Sequence, residues 1–156
     1  MTDAAFLKTL DLFNGLTLQQ LQALAAICRE LVIRQGETVL DEDRVDRTGD
    51  EMYIIAAGEV EVLLGVHGEP RASSVSGPVS IRRLGAGQVF GEIALVDQGP
   101  RSATVRCVAD ITRLLTLQRG DFIRLCEQDH CLGYVVMRNI AADLAFKLRT
   151  RNLAGI

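Results

Sequence analysis

Phe90-Gly91-Glu92-Ile93-Ala94-Leu95-Val96-Asp97-Gln98-Gly99-Pro100-Arg101-Ser102-Ala103-Thr104-Val105 sets a carboxylate and a guanidinium at opposite ends of a small, apolar segment broken by Gly and Pro. Gly91 precedes Glu92, the run Ile93 to Val96 is long enough for about one helical turn, and Gly99-Pro100 forces a turn just ahead of Arg101 and Ser102. Such a segment suits an anion cradle. Backbone N–H groups at the start of a short helix point at a phosphate, Arg101 grips it with a planar fork, and Ser102 donates one more hydrogen bond. Glu92 repels a phosphate, so it is better placed to accept from hydroxyls, a ribose 2'-OH being the natural candidate. The expected ligand carries both a phosphate and a sugar. The plainer alternative is a strand, a turn and a strand with a Glu and an Arg on the surface.

Around this stretch, from Glu30 to Leu117, short apolar runs are separated by Gly, Pro and Asp, the spacing of an all-β sandwich or barrel. Val60, Val62 and Leu64 alternate with Glu59 and Glu61, so one face is expected inward, and Val105 and Cys107 flank Arg106 in the same way. Gly58 is expected to supply the positive φ of a tight hairpin. Gly85-Ala86-Gly87-Gln88-Val89-Phe90-Gly91 nearly spells a dinucleotide fingerprint. Its spacing is off by one, no βαβ pattern follows and no Walker lysine lies nearby, so Rossmann and P-loop readings are rejected.

Helical patterns flank the β region. Phe6, Leu7 and Leu10 form a short apolar face ended by Asn14-Gly15. Thr17 with Gln20 reads as a capping box, and Leu21, Leu24, Ala25 and Cys28 recur at helical spacing. Arg119-Gly120-Asp121 matches an adhesion tripeptide, but Asp121 is expected as the N-cap of a short helix to about Gln128. A longer helix follows from about His130 to Asn152, with Met137, Ile140, Ala141, Leu144 and Leu148 as its apolar stripe.

At the opening stretch the sequence resembles the cyclic nucleotide-binding domain family, the module of catabolite activator proteins, protein kinase A regulatory subunits and cyclic-nucleotide-gated channels. Its phosphate-binding cassette runs F-G-E-x-A/G-L, a short spacer, then P-R-S/A/T-A-T/x-V, and every element is present between Phe90 and Val105. Gly49 to Val62 resembles the family's G-D-x-x-Y-x-I-x-x-G-x-V-x-V strands, and Leu12 to Thr17 its helical opening. The resemblance implies a double-stranded β-helix, a jelly-roll-like β-roll that is mainly β with flanking helices. It is expected as a single domain over 1–156, with an N-terminal helical segment (1–29), a β-roll (30–118) holding the cassette (90–105), and C-terminal helices (119–156).

The resemblance further implies that Glu92 binds the ribose 2'-OH, Arg101 the cyclic phosphate, and Ser102 the phosphate or base edge. The backbone of Gly91, Ile93 and Ala94 lines the phosphate, with Ala103 close to it. In the family the last helix closes over the base. Arg149, Thr150, Arg151 and Asn152 are the candidates by position, and Arg151 can stack on a purine through its guanidinium plane. As basic residues at a helix C-terminus they have an ordinary reading too. Ser102 after the arginine tilts the expectation toward cyclic AMP over cyclic GMP. Activator-type members continue into a helix-turn-helix domain, whereas this sequence ends at Ile156. The expectation is therefore a stand-alone receptor that relays ligand binding to an unknown effector protein through its C-terminal helix, whose apolar seam favours a homodimer.

Composition narrows the alternatives. With 156 residues, 48% hydrophobic, the chain is long enough for one well-cored domain. A net charge of −3 gives it no field to attract nucleic acid or an anionic membrane surface. Neither a membrane-length apolar run nor a signal peptide is evident, so a cytoplasmic location is expected. Cys28, Cys107, Cys126 and Cys131 are widely spaced and read as buried free thiols. Cys126, His130 and Cys131 could supply part of a metal site, but the helix break between them and the lack of a fourth ligand argue against it, and no cofactor is expected. Asp41 to Thr48 reads as a solvated loop with Arg44 and Arg47 beside its acids, and His67 to Ser80 as a long Ser/Gly/Pro-rich excursion. An enzyme would need a general base or metal near the phosphate, and the cassette offers only Glu92 and Asp97. The other alternative is a degenerate fold serving as a ligand-independent interaction module.

Overall fold

The computed structural model describes residues 3–40, 50–64, 79–96 and 103–154, with 151–154 described by backbone alone. Residues 28–119 form one compact unit; residues 1–27 together with 120–156 form another. The first contains β1 (Arg29–Arg34), β2 (Thr38–Leu40), β3 (Glu51–Ala57), β4 (Glu59–Leu64), β5 (Val79–Gly85), β6 (Val89–Phe90), β7 (Thr104–Cys107) and β8 (Ile111–Gln118). These strands pair antiparallel in two four-stranded sheets, β1-β8-β3-β6 and β2-β7-β4-β5. This is the mainly-β roll with flanking helices that the sequence led us to expect.

Period-two alternation builds the core between the sheets. Ile33, Ile55 and Leu114 of the first sheet share one buried cluster with Val60, Leu84 and Val105 of the second. The alternation expected in β4 needs correction. The register against β5 shifts between Val62 and Leu63, and Leu63, not Leu64, is the fully buried residue at the strand's end. A bulge of this kind breaks strict alternation, which a sequence pattern assumes.

Gly58 does take a positive φ, 102°, but it does not make a hairpin. β3 and β4 belong to different sheets, and Gly58 is the corner by which the chain passes between them. A Cβ there would lie 2.7 Å from Thr112 Cα and 2.8 Å from the Ile111 carbonyl oxygen, so the corner sits flush on the start of β8. Thr112 fastens it: its hydroxyl accepts from the Glu59 amide at 3.1 Å and donates to the Glu59 carbonyl at 3.2 Å. The Cys107 thiol donates to the same hydroxyl at 3.1 Å.

The other unit begins with α1 (Ala4–Lys8), capped by Asp3, whose carboxylate accepts from the Ala5 amide at 2.9 Å. A 3-10 turn over Asp11–Phe13, not anticipated from the sequence, buries Leu12 and Phe13. α2 (Leu18–Ile27) opens with a reciprocal capping box: Thr17 N–H donates to Gln20 Oε1 at 2.9 Å, and Gln20 N–H to Thr17 Oγ1 at 3.2 Å. α3 (Arg119–Gln128) starts two residues before the expected cap. Asp121 lies inside its first turn, ion-paired with Arg124, because β8 runs directly into the helix.

α4 (His130–Ala154) is capped by Asp129, which accepts from the Leu132 amide at 3.0 Å and from Gln20 Nε2 at 3.1 Å. Both bonds favour the ionised carboxyl and hold it below its ordinary range, the Leu132 amide contributing most. Asn139 donates both amide hydrogens to the 3-10 turn region, to the Leu12 and Asn14 carbonyls at 2.9 and 2.8 Å. The expected stripe on α4 is matched only in part, at Ile140 and, half-buried, at Met137 and Leu144. Leu132, Val136 and Ile140 form the buried ridge at i, i+4 spacing, whereas Ala141 and Leu148 are exposed.

The cysteines form no disulfide, and they are less uniformly buried than expected: Cys107 is buried, Cys28 and Cys126 partly so, and Cys131 exposed. Burial pushes the Cys28 thiol up to about 12. Among the described residues, no group of His, Cys, Asp or Glu is placed to hold a metal ion, and no helix is long and apolar enough to cross a membrane. Val79 and Ser80, assigned to the long excursion, open β5; its other residues, His67 included, and Asp41 to Thr48 lie outside the described residues.

Candidate functional site

The cassette starts at the edge of the first sheet. β6 pairs with β3 so that Phe90 faces Tyr53, and the two rings stack with centroids 5.0 Å apart at 10°. Gly91 then adopts a left-handed φ of 74°, which turns the chain out of β6 and into a 3-10 helix over Glu92–Leu95. The Ala94 amide donates to the Gly91 carbonyl at 3.0 Å and the Val96 amide to the Ile93 carbonyl at 3.0 Å. Ala94 and Leu95 anchor the turn in the interior, while Ile93 is half exposed.

Glu92 opens this turn and is only 6% exposed, an unusual place for a carboxylate on a short surface helix. Burial of that kind suits a group that serves a specific hydroxyl or amide partner rather than solvent.

Arg101 and Ser102 lie outside the described residues, with 97–102 as a whole. The chain is described again from Ala103, half-buried in a bend, and Thr104, 1% exposed. It then enters β7, where Thr104 and Val105 pair with Leu63 and Val62 of β4. The cassette therefore leaves the first sheet through β6 and joins the second through β7. Gly91, Glu92, Ile93 and Ala94 are brought together in one turn, and Ala103 stands at its far end. Arg149 and Thr150 are exposed near the end of α4, and the Thr150 hydroxyl donates to the Phe146 carbonyl at 2.8 Å. Arg151 belongs to the same helix, its side chain outside the description.

Tyr53 was not singled out from the sequence as a support of the cassette. Its place in the strand pattern was visible, but its pairing with Phe90 depends on which strands become neighbours.

The profile of the cyclic nucleotide-binding domain family matches residues 30–129. A cyclic AMP receptor protein of Thermus thermophilus is 31% identical over 149 residues, 94% of this chain and 61% of that protein. A cAMP-dependent protein kinase regulatory subunit of Aspergillus fumigatus is 32% identical over 121 residues, 78% of this chain and 26% of the relative. The chain thus spans less than two thirds of either relative's length. Among solved structures, the N-terminal domain of a transcriptional regulator from Streptomyces coelicolor superposes with a TM-score of 0.76 at 26% identity, covering 97% of this chain and 95% of that one. With the profile spanning most of the β-roll and its cassette, the chain belongs to the cyclic nucleotide-binding domain family.

Proposed function

We propose that this chain is a receptor that binds cyclic AMP in preference to cyclic GMP and passes the signal to a partner protein through movement of α4. The observation that carries the reading is the turn at Gly91–Leu95, which buries Glu92 at the head of a 3-10 helix. In this reading Glu92 accepts from the ribose 2'-OH, and the backbone of Gly91, Ile93 and Ala94 approaches the phosphate. Arg101 neutralises that phosphate, Ser102 adds a hydrogen bond, Ala103 closes the far side and Arg151 stacks on the base. The nucleotide is bound and released unaltered. For occupancy to switch anything, the nucleotide must bind one arrangement of α4 more tightly than another. Exposed Tyr134, Phe146 and Leu148 on that helix give it apolar surface to offer an effector or a second copy of the chain.

Calorimetric titration of protein stripped of carried-over ligand tests this. Saturable binding of cyclic AMP, weaker binding of cyclic GMP, and a loss of about 10- to 100-fold on Arg101→Ala are expected, since hydrogen bonds to charged groups contribute about 1.5 to 3 kcal/mol each. No binding of either nucleotide by folded protein would refute the reading.

A further inference from the structure

Glu51 and Tyr53 stand two residues apart on β3, so their side chains share a face. The Tyr53 ring stacks on Phe90, the first residue of the cassette. Its hydroxyl donates to Glu51 Oε2 at 2.9 Å, and the other oxygen of that carboxylate accepts from Gln118 Nε2 at 3.3 Å. Gln118 is the register partner of Glu51 and the last residue of β8. The next amide, Arg119 N–H at the start of α3, donates to the Asp50 carbonyl at 2.7 Å. Arg119 Nε is buried with no hydrogen-bond partner among the described residues, so the junction carries a local cost that a rearrangement can relieve.

We propose that Phe90, Tyr53, Glu51 and Gln118 form a mechanical link that couples the seating of the cassette to the backbone at the β8–α3 junction. The inference rests on the cassette being the nucleotide site. The stacked rings make the link stiff at one end, because Phe90 cannot shift without displacing the Tyr53 ring. The carboxylate makes it directional at the other, because one side chain holds both the Tyr53 hydroxyl and Gln118. Tyr53 is a positioning residue here, with no contact to ligand required of it.

Amide hydrogen exchange of the full chain, with and without cyclic AMP, tests the link from both ends. Tyr53→Phe keeps the ring and removes the hydroxyl, so its affinity for cyclic AMP stays within about twofold of the parent. Loss of one hydrogen bond speeds exchange at the Arg119 amide roughly fivefold and blunts its response to nucleotide. Gln118→Ala, altered at the junction, speeds exchange at the Ala94 amide inside the cassette. In both variants the β1–β8 amides keep the parent's rates. Parent-like exchange at Arg119 in Tyr53→Phe and at Ala94 in Gln118→Ala overturns the proposal, as does a uniform rise across all strands, which would reduce the contact to simple stability. The ligand-free measurements separate the two claims. If the parent binds no cyclic nucleotide while both variants show the remote effects, the receptor reading falls and the link stands.

Discussion

Replacing Gly58 by Ala should damage this fold far more than a one-carbon change suggests. Two costs add. The residue sits at a φ of 102°, a conformation L side chains rarely adopt, worth about 1 to 3 kcal/mol of strain. The new Cβ would also stand 2.3 Å from Thr112 Oγ1, 2.7 Å from Thr112 Cα and 2.8 Å from the Ile111 carbonyl oxygen. Two of those atoms are backbone, so β8 itself must move, an overpacking cost of about 1 to 3 kcal/mol. The Thr112 hydroxyl would be pushed off the Glu59 amide as well, losing about 1 kcal/mol. The sum is about 3 to 7 kcal/mol, a large part of a typical domain's stability. Gly36→Ala is the control. It has a φ of 86° but nothing within 4 Å of the new carbon, so it carries the strain without the clash. Urea denaturation of the two variants measures the difference, expected at about 2 to 4 kcal/mol. Equal losses for the two would refute the claim that the sheet-crossing corner is pinned on Thr112.

Glu92→Gln should weaken cyclic AMP binding about tenfold by calorimetry, since a neutral amide accepts a weaker hydrogen bond than a carboxylate. Asn139→Ala removes donors to the Leu12 and Asn14 carbonyls and should cost about 1 to 2 kcal/mol in denaturant unfolding. Asp129 is held below its ordinary range by the Leu132 amide and then by Gln20, so the ionised cap stabilises the fold at neutral pH and that contribution is lost as pH falls through its lowered value. Asp129→Asn keeps a capping side chain without the titration, and its stability should fall less steeply than the parent's below about pH 4.

Features that depend on neighbouring residues alone were legible. Thr17 and Gln20 announce a capping box because both partners lie within four residues, and the structure pairs them reciprocally. Gly91 and the short apolar run after it announce a tight turn for the same reason. Features that depend on pairing were not. Gly58 looks like a hairpin glycine because β3 and β4 are adjacent in sequence, yet β3 pairs with β8 and β6, and nothing local to Gly58 distinguishes a hairpin from a change of sheet. The α4 stripe was matched only in part because Ala141, Ala142 and Ala145 leave several faces of similar hydropathy, and only packing selects the ridge through Leu132, Val136 and Ile140.

The same distinction bears on the site. Glu92 and Arg101 are close in sequence, so a motif can name them together, but the strands on either side of them, β6 and β7, belong to different sheets. The Glu92 side is seated on the first sheet through Phe90 and Tyr53; the Arg101 side returns to the second through Thr104 and β7. In the proposed reading, a nucleotide held by Glu92 and Arg101 would be gripped by segments that lead into different sheets, which no strand pair of the described residues joins. A rigid single-sheet loop carrying the same two residues could bind a phosphate and a sugar equally well. In the proposed reading the difference matters, because a receptor needs its ligand to favour one arrangement of the protein over another.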